Sequence, residues 1–259
     1  MNDNNMFLQG FSLLEDIEPQ QFDKYPLNIN SLRLFVSMKF VKPVTIFIGR
    51  NGCGKSTIIE ALASCFDIPI VGGNKNLAAI IEHYDNGEEK QSELANYIRC
   101  SRGYKRPDYT FFFRAESFYK IADIVSNDSR RNGELSIDLT NYGNKNLLAE
   151  SHGESFMDFM KHTFKPNSLY FLDEPESALS PEKQIELIAL IDYYSKQGSQ
   201  FIIATHSLFF IAYKDATLIN LDDGMKNINY KDTEIYKTYK EFLDNPVEYI
   251  EEVKQKFFN

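Results

Sequence analysis

The run Gly49-Arg50-Asn51-Gly52-Cys53-Gly54-Lys55-Ser56-Thr57 follows the pattern G-x-x-x-x-G-K-[ST]. Glycines at these positions let successive backbone N–H groups converge on phosphate oxygens with no Cβ in the way. A helix beginning at the end of the run adds its positive pole. Lys55 supplies a point charge for the β- and γ-phosphates, and Ser56 a hydroxyl ligand for Mg²⁺. Gly49, Asn51, Gly52, Cys53, Gly54, Lys55, Ser56 and Thr57 are therefore the expected phosphate-binding residues. Cys53 has two readings. Helix-end amides would lower its thiol pKa and make it a redox sensor, or it is a small residue filling a variable position, and the second is preferred.

Two further features place acids and an imidazole at the ends of apolar runs. Leu169-Tyr170-Phe171-Leu172 leads into Asp173-Glu174-Pro175, and carboxylates at the C-terminal edge of a sheet lie where open α/β folds bind ligands. Asp173 is expected to hold Mg²⁺ through water, and Glu174 to orient and deprotonate the attacking water. His206 follows the next apolar run, within Ala204-Thr205-His206-Ser207. An imidazole there is expected to reach the γ-phosphate from the side.

These groups need strands and helices to hold them. Val44-Thr45-Ile46-Phe47-Ile48 is continuously apolar in character, the mark of a strand buried on both faces. It runs into the glycine turn, and Ser56–Ala63 reads as helix. Residues 1–24 read as polar and irregular. Leu32, Leu34, Val36, Met38 and Phe40 alternate with more polar neighbours, which predicts a half-buried antiparallel strand. Helical pieces are expected around Asn76–His83, Glu93–Arg99, Phe118–Val125 and Phe156–Phe164. A strand is expected at Tyr109–Phe113, and Asn132-Gly133 suits a hairpin turn. Further on, Ser180 can cap a helix that starts at Pro181 and closes at Gly198. The strand at Phe201–Thr205 follows, giving a βαβ unit and a parallel sheet. Another strand is expected at Thr217–Leu221, then one or two surface helices in the last thirty residues.

Composition narrows the class. The chain has 259 residues, 43% of them hydrophobic and 25% charged, with a net charge of −9. This suits one soluble α/β domain, and the acidic balance argues against wrapping nucleic acid by bulk electrostatics. No apolar run is long enough to cross a membrane, and the N-terminus lacks the pattern of a signal peptide. Cys53, Cys65 and Cys100 are odd in number and show no C-x-x-C spacing. That argues against a disulfide framework and for a reducing cytoplasm.

Taken together, these motifs resemble the ATP-binding-cassette (ABC) ATPases, over nearly the whole chain from Leu32 to about Leu221. The resemblance implies an α/β P-loop fold of ABC type: a mixed, mostly parallel sheet flanked by helices, an N-terminal antiparallel β region and a small helical lobe. It implies a single domain over 1–259 with the lobe at about 74–165. ATP and Mg²⁺ are the implied ligands, and an ATP-dependent homodimer the implied assembly. A signature loop should complete the neighbouring subunit's site. Ser151-His152-Gly153-Glu154 looks like the form ending in Ser-x-Gly-Glu, with His152 in place of the first glycine. Ser177-Ala178-Leu179-Ser180 resembles the dimer-contacting loop, with Ser180 where Asp is usual. Arg114 or Glu116 stands where the glutamine loop is expected. The adenine-stacking aromatic should come from the N-terminal region, with Tyr25 favoured over Phe22 and Phe35.

A narrower resemblance is to compact, stand-alone bacterial ATPases described only as predicted AAA-family or ABC-type ATPases. They share the phrases found here at 113–118, 151–155, 173–181 and 200–207. Three readings of the biological role follow. The preferred one is a stand-alone ATPase or one regulating an effector protein, with phage defence as one version. A transporter's nucleotide-binding subunit is disfavoured by the altered signature and by the lack of a glutamine where membrane helices couple. A DNA-repair head is disfavoured because only 95 residues separate Lys55 from Glu150, with no sustained heptads.

Overall fold

A computed structural model describes residues 6–33, 35–68, 70, 73, 91–115 and 152–258. The helices expected over 76–83 and 118–125, the Asn132-Gly133 turn and most of the proposed lobe lie outside these residues. The strands are β1 (Leu8–Leu13), β2 (Ser37–Lys39), β3 (Val44–Ile48), β4 (Ile98–Arg102) and β5 (Tyr109–Arg114). They continue as β6 (Ser168–Asp173), β7 (Gln200–Ala204), β8 (Ala216–Asn220) and β9 (Lys226–Asn227). The helices are α1 (Asn30–Arg33), α2 (Lys55–Ser64), α3 (His152–Thr163), α4 (Pro181–Ser195), α5 (Leu208–Ile211), α6 (Glu234–Asp244) and α7 (Pro246–Phe258).

The main sheet runs β5-β6-β7-β3-β8-β9, parallel except for the β8–β9 pair. Every residue of β3, β6 and β7 is buried. This is why their sequences are continuous apolar runs rather than alternating ones. Successive side chains serve opposite faces. Ile46, Tyr170, Leu172, Phe201 and Ile203 meet Phe156 and Phe159 of α3 and Leu187 and Ile191 of α4. Phe47, Phe171, Ile202 and Ala204 meet Ile58, Ile59 and Leu62 of α2 on the other side. Ser180 caps α4 by accepting from the Lys183 N–H, with Pro181 as the first helical residue. The arrangement is a mixed α/β fold with the parallel-rich sheet, flanking helices and separate antiparallel sheet that the resemblance implies.

The second sheet, β2-β1-β4, is antiparallel and corrects several expectations. Residues 8–13 are a strand rather than irregular chain. Their alternation is broken by a bulge between Leu8 and Gly10, where a Cβ on Gly10 would run into the Met38 carbonyl. The strand expected from Leu32 to Phe40 survives only at Ser37–Lys39. Leu32 lies in α1, and Val36, expected on the buried face, is exposed. The helix expected over 93–99 is a 3₁₀ turn at Glu93–Tyr97 followed by β4. Cys65, just past α2, is disulfide-bonded to Cys100 of β4, with Cα atoms 6.4 Å apart, and Cys53 is free. Cysteine spacing gave no sign of this pair, because β4 is brought beside the end of α2 by tertiary contacts: its pairing with β1 and the packing of Leu94 against α2. The argument from cysteines to a reducing compartment falls with it.

One side chain joins the two sheets. Gln200, at the start of β7, accepts from the Leu8 N–H at 2.9 Å and donates to the Leu8 carbonyl at 2.8 Å, both within the protein interior. The primary amide thus occupies the place of a strand partner for Leu8. Gln200→Ala should lower unfolding stability by about 3 kcal/mol, since it leaves a buried donor and acceptor without partners. Urea denaturation reads this directly, and a loss under about 1 kcal/mol would show that water takes over both bonds.

Candidate active site

The glycine loop bridges the end of β3 and the start of α2, so α2 points its N-terminus at the loop. Two glycines are required by geometry. Gly54 has φ 97°, and a Cβ there would sit 2.6 Å from Ile29 Cγ2. Gly49 has φ 150°, and a Cβ would sit 2.6 Å from Cys53 Sγ. Cys53 therefore fills the space beneath the loop, and burial pushes its thiol pKa up despite the nearby Lys55 charge. The redox reading of Cys53 required the opposite shift. Ser31 Oγ donates to the Cys53 carbonyl at 2.9 Å, and the Arg50 N–H donates to Asp222 Oδ2 at 2.9 Å. These bonds hold the loop from both flanks. Lys55 is buried, and its Nζ donates to the Gly49 and Arg50 carbonyls at 3.0 and 3.2 Å.

Sheet register brings the acids and the imidazole to this loop. Asp173 is the Cα partner of Ala204, which is itself the partner of Phe47. The carboxyl ends of β6, β7 and β3 thus lie side by side. Asp173 is buried, accepting from Ser56 Oγ at 3.1 Å and from Arg114 Nε at 3.4 Å. Burial raises its pKa, with Arg114 and Ser56 opposing. Glu174 takes a left-handed backbone, φ 47°, which turns its side chain out of the sheet. His206 Nε2 stands 3.8 Å from Glu174 Oε1, and the two side chains are 33% and 45% exposed. Burial first, then the Lys55 charge, lowers the His206 pKa below that of an ordinary histidine, so the ring is neutral at pH 7.

A cleft of about 910 Å³ joins these parts. It is lined by Asn51, Gly52, Gly54, Lys55, Ser56 and Thr57 of the loop, by Glu174 and His206, and on the far side by Tyr25. Among the three aromatics considered, Tyr25 is 61% exposed at the cleft, Phe35 is 6% exposed and Phe22 packs against the core. Arg114 ends β5 and points inward, ion-paired to Glu60 of α2 as well as to Asp173. Glu116 and Ser151 lie outside the described residues. His152 and Gly153 open α3, and Glu154 is exposed in its first turn. Sequence reasoning missed Asn28, Ile29 and Asn30, which line the cleft beside Tyr25. It also missed the Arg114–Asp173 pair and Glu176. None of these forms a contiguous pattern with the loop.

The donors at Asp173 and Ser56 are hard oxygens, and they fit Mg²⁺, which takes one or two carboxylates together with phosphate oxygens and water. Among the described residues no group of three or more His, Cys, Asp and Glu side chains could hold a metal alone. A cation at this site would share its coordination with the nucleotide.

A phosphate loop at a strand-to-helix junction, backed by an acid pair and a histidine on neighbouring parallel strands, defines a P-loop nucleoside triphosphatase. Residues 27–257 match the family model described as an AAA domain, and the chain belongs to that family. The phosphate import ATP-binding protein PstB of Colwellia psychrerythraea is 27% identical over 222 residues, 75% of this chain and 76% of that protein. The cobalt import ATP-binding protein CbiO of Salmonella typhimurium is 25% identical over 177 residues, 65% of this chain and 63% of that protein. Among solved structures, cbiO1 from Clostridium perfringens, part of an ABC transporter complex, aligns with a TM-score of 0.39. It is 19% identical, over 82% of this chain and 88% of its own. The chain is an ABC-type ATPase. No helix among the described residues is long and apolar enough to cross a membrane.

Lys55→Ala should weaken ATP binding by about 10²-fold or more, because loop amides remain but the full charge for the terminal phosphates is lost. Equilibrium binding with labelled ATP measures it, and unchanged affinity would remove the loop as the phosphate site.

Proposed function

We propose that two copies of the chain close on two MgATP molecules, and that hydrolysis in this dimer controls a partner effector protein in the cytoplasm. The observation that carries the reading is the exposure of Glu174 and His206 at the mouth of the cleft. One subunit grips the phosphates but leaves the attacked face open to water. A second subunit supplies the missing wall through the stretch Ser151, His152, Gly153 and Glu154.

In this reading Tyr25 stacks on the adenine, and Lys55 leaves the Gly49 and Arg50 carbonyls to meet the β- and γ-phosphates. The amides of Gly52, Cys53, Gly54 and their neighbours cradle the same oxygens. Ser56 and Asp173 hold Mg²⁺, Asp173 through water. The ion supplies charge neutralisation on the phosphates when bound. Glu174 takes the proton of the attacking water, and neutral His206 contacts the γ-phosphate. Arg114 occupies the glutamine-loop position and carries a change in the nucleotide site to the segment beyond β5.

A nucleotide-binding subunit of an importer is the second reading, favoured by the likeness to the phosphate and cobalt import ATP-binding proteins. The inward pairing of Arg114 to Glu60 and Asp173 supports the first, since that side chain is spent inside the subunit. Phage defence is one role the first reading covers. A neighbouring gene for a nuclease or a permease separates them.

Glu174→Gln should keep ATP binding, slow turnover by about 10²–10⁴-fold and accumulate an ATP-bound dimer on size exclusion. Wild-type turnover would show that Glu174 is not the base. The shared site has its own test in mixing inactive Lys55→Ala with inactive Ser151→Arg. Half of randomly paired dimers are mixed, and each mixed dimer has one site with no lesion, so about a quarter of wild-type sites should reappear. Absence of both hydrolysis and trapped nucleotide after confirmed subunit exchange would refute completion in trans.

A further inference from the structure

We infer that Glu176 is a positioning residue for His206: its carboxylate holds the backbone of the 205–207 turn and thereby sets where the imidazole stands. The inference rests on the role proposed above for His206. Glu176 is the second residue of the 3₁₀ turn Pro175–Ala178 that follows the acidic strand. Its Oε1 accepts from the His206 N–H at 2.7 Å, while its Oε2 is buried with no hydrogen-bond partner. Burial pushes its pKa up, against the pull of the Thr205 hydroxyl and the His206 N–H. A buried carboxyl oxygen left without a partner costs stability that an apolar side chain of the same size would not. The short bond from the His206 N–H, with the Thr205 hydroxyl beside it, offsets part of that cost, and both partners belong to the histidine turn.

The imidazole has little else to fix it. His206 Nε2 is buried without a hydrogen-bond partner and lies 3.8 Å from Glu174 Oε1, beyond bonding distance. Its placement comes from the main chain. That main chain is anchored at two further points. The Ser207 N–H donates to Thr205 Oγ1 at 3.0 Å, and Ser207 Oγ donates to Gln184 Oε1 of α4 at 2.6 Å. Gln184 Nε2 in turn donates to the Leu179 carbonyl at 3.1 Å, just past the 3₁₀ turn. The base-bearing segment 174–179 and the histidine turn are thus tied into one body, with Glu176 as the direct link. Movement of the 3₁₀ turn, which shares Ser177 and Ala178 with the segment that resembles a dimer-contacting loop, would carry His206 with it.

The test pairs kinetics with the histidine NMR spectrum, where the His206 Cε1–H signal is the one lost in His206→Ala. Glu176→Met keeps the volume and removes the acceptor. It should shift the His206 signal and lower kcat about 10-fold, with the KM for ATP and the affinity for ADP unchanged. Glu176→Gln keeps an acceptor oxygen and should stay within about threefold of wild type. In a His206→Ala background, Glu176→Met should add no more than about a twofold loss, because the two act through one group. Losses that multiply, or a Glu176→Met enzyme with normal kcat beside an impaired His206→Ala enzyme, would overturn the inference. If His206→Ala itself hydrolyses normally, the γ-phosphate role of His206 fails, and the His206 signal alone decides: shifted in Glu176→Met, positioning stands; unshifted, it falls. Glu176→Ala backs up Glu176→Met, and failure of both to fold would also overturn it, since such a residue would be needed by the whole domain.

Discussion

The Asp173 carboxylate is shared between the hydroxyl of Ser56 and the guanidinium of Arg114, inside the protein, at the junction of three elements. Ser56 belongs to α2, Arg114 to β5 and Asp173 to β6. Arg114 also reaches Glu60, one helical turn beyond Ser56, so the contacts close a ring between helix and sheet. A buried carboxylate without these partners would be strongly unfavourable. Its raised pKa records that burial outweighs them. The position of α2, and so the direction in which its N-terminal amides point, depends on this pair of contacts. In the function proposed above, a cation arriving with nucleotide would meet the same carboxylate and hydroxyl, and binding would act on the joint that holds the site together.

The three-layer packing explains why the site is open on one side. α2 and the antiparallel sheet cover one face of the main sheet, and α3 and α4 the other. Among the described residues, neither layer extends over the carboxyl ends of β3, β6 and β7. That edge is left to the loops carrying Glu174, His206 and the phosphate-binding run, as in open parallel sheets generally. Gln200 matters at the opposite end of the same strand. By serving as the hydrogen-bond partner of Leu8, it ties the antiparallel sheet to β7. The C-terminal helices α6 and α7 stand apart from this economy: neither has a buried residue, and Leu243, Val247, Phe257 and Phe258 are exposed.

The phosphate loop, the acid pair, His206 and the buried strands β3, β6 and β7 were all legible in the sequence. Each is a local pattern. Convergent amides come from consecutive residues, and an all-apolar run is what a doubly covered strand requires. Element types at the N-terminus were not legible. The Leu32–Phe40 alternation suggested nine residues of strand, yet only three pair with β1, because the chain enters through α1. In the same region the 93–99 segment carried no pattern strong enough to separate helix from a 3₁₀ turn and strand.

What the sequence alone determined is which groups are available: a glycine-rich run with a lysine and a serine, a pair of acids and an imidazole, each at the end of a strand whose apolarity is visible in one dimension. What tertiary structure alone decided is which groups meet. Arg114 with Asp173, Glu176 with the His206 N–H, Tyr25 with the cleft and Cys65 with Cys100 are separated by tens of residues or lie on different loops, and no spacing rule joins them. They are set by parallel register and by the packing of two sheets on one helix. A strand slipped by one residue would turn every side chain to the other face and undo those contacts while leaving each local pattern intact.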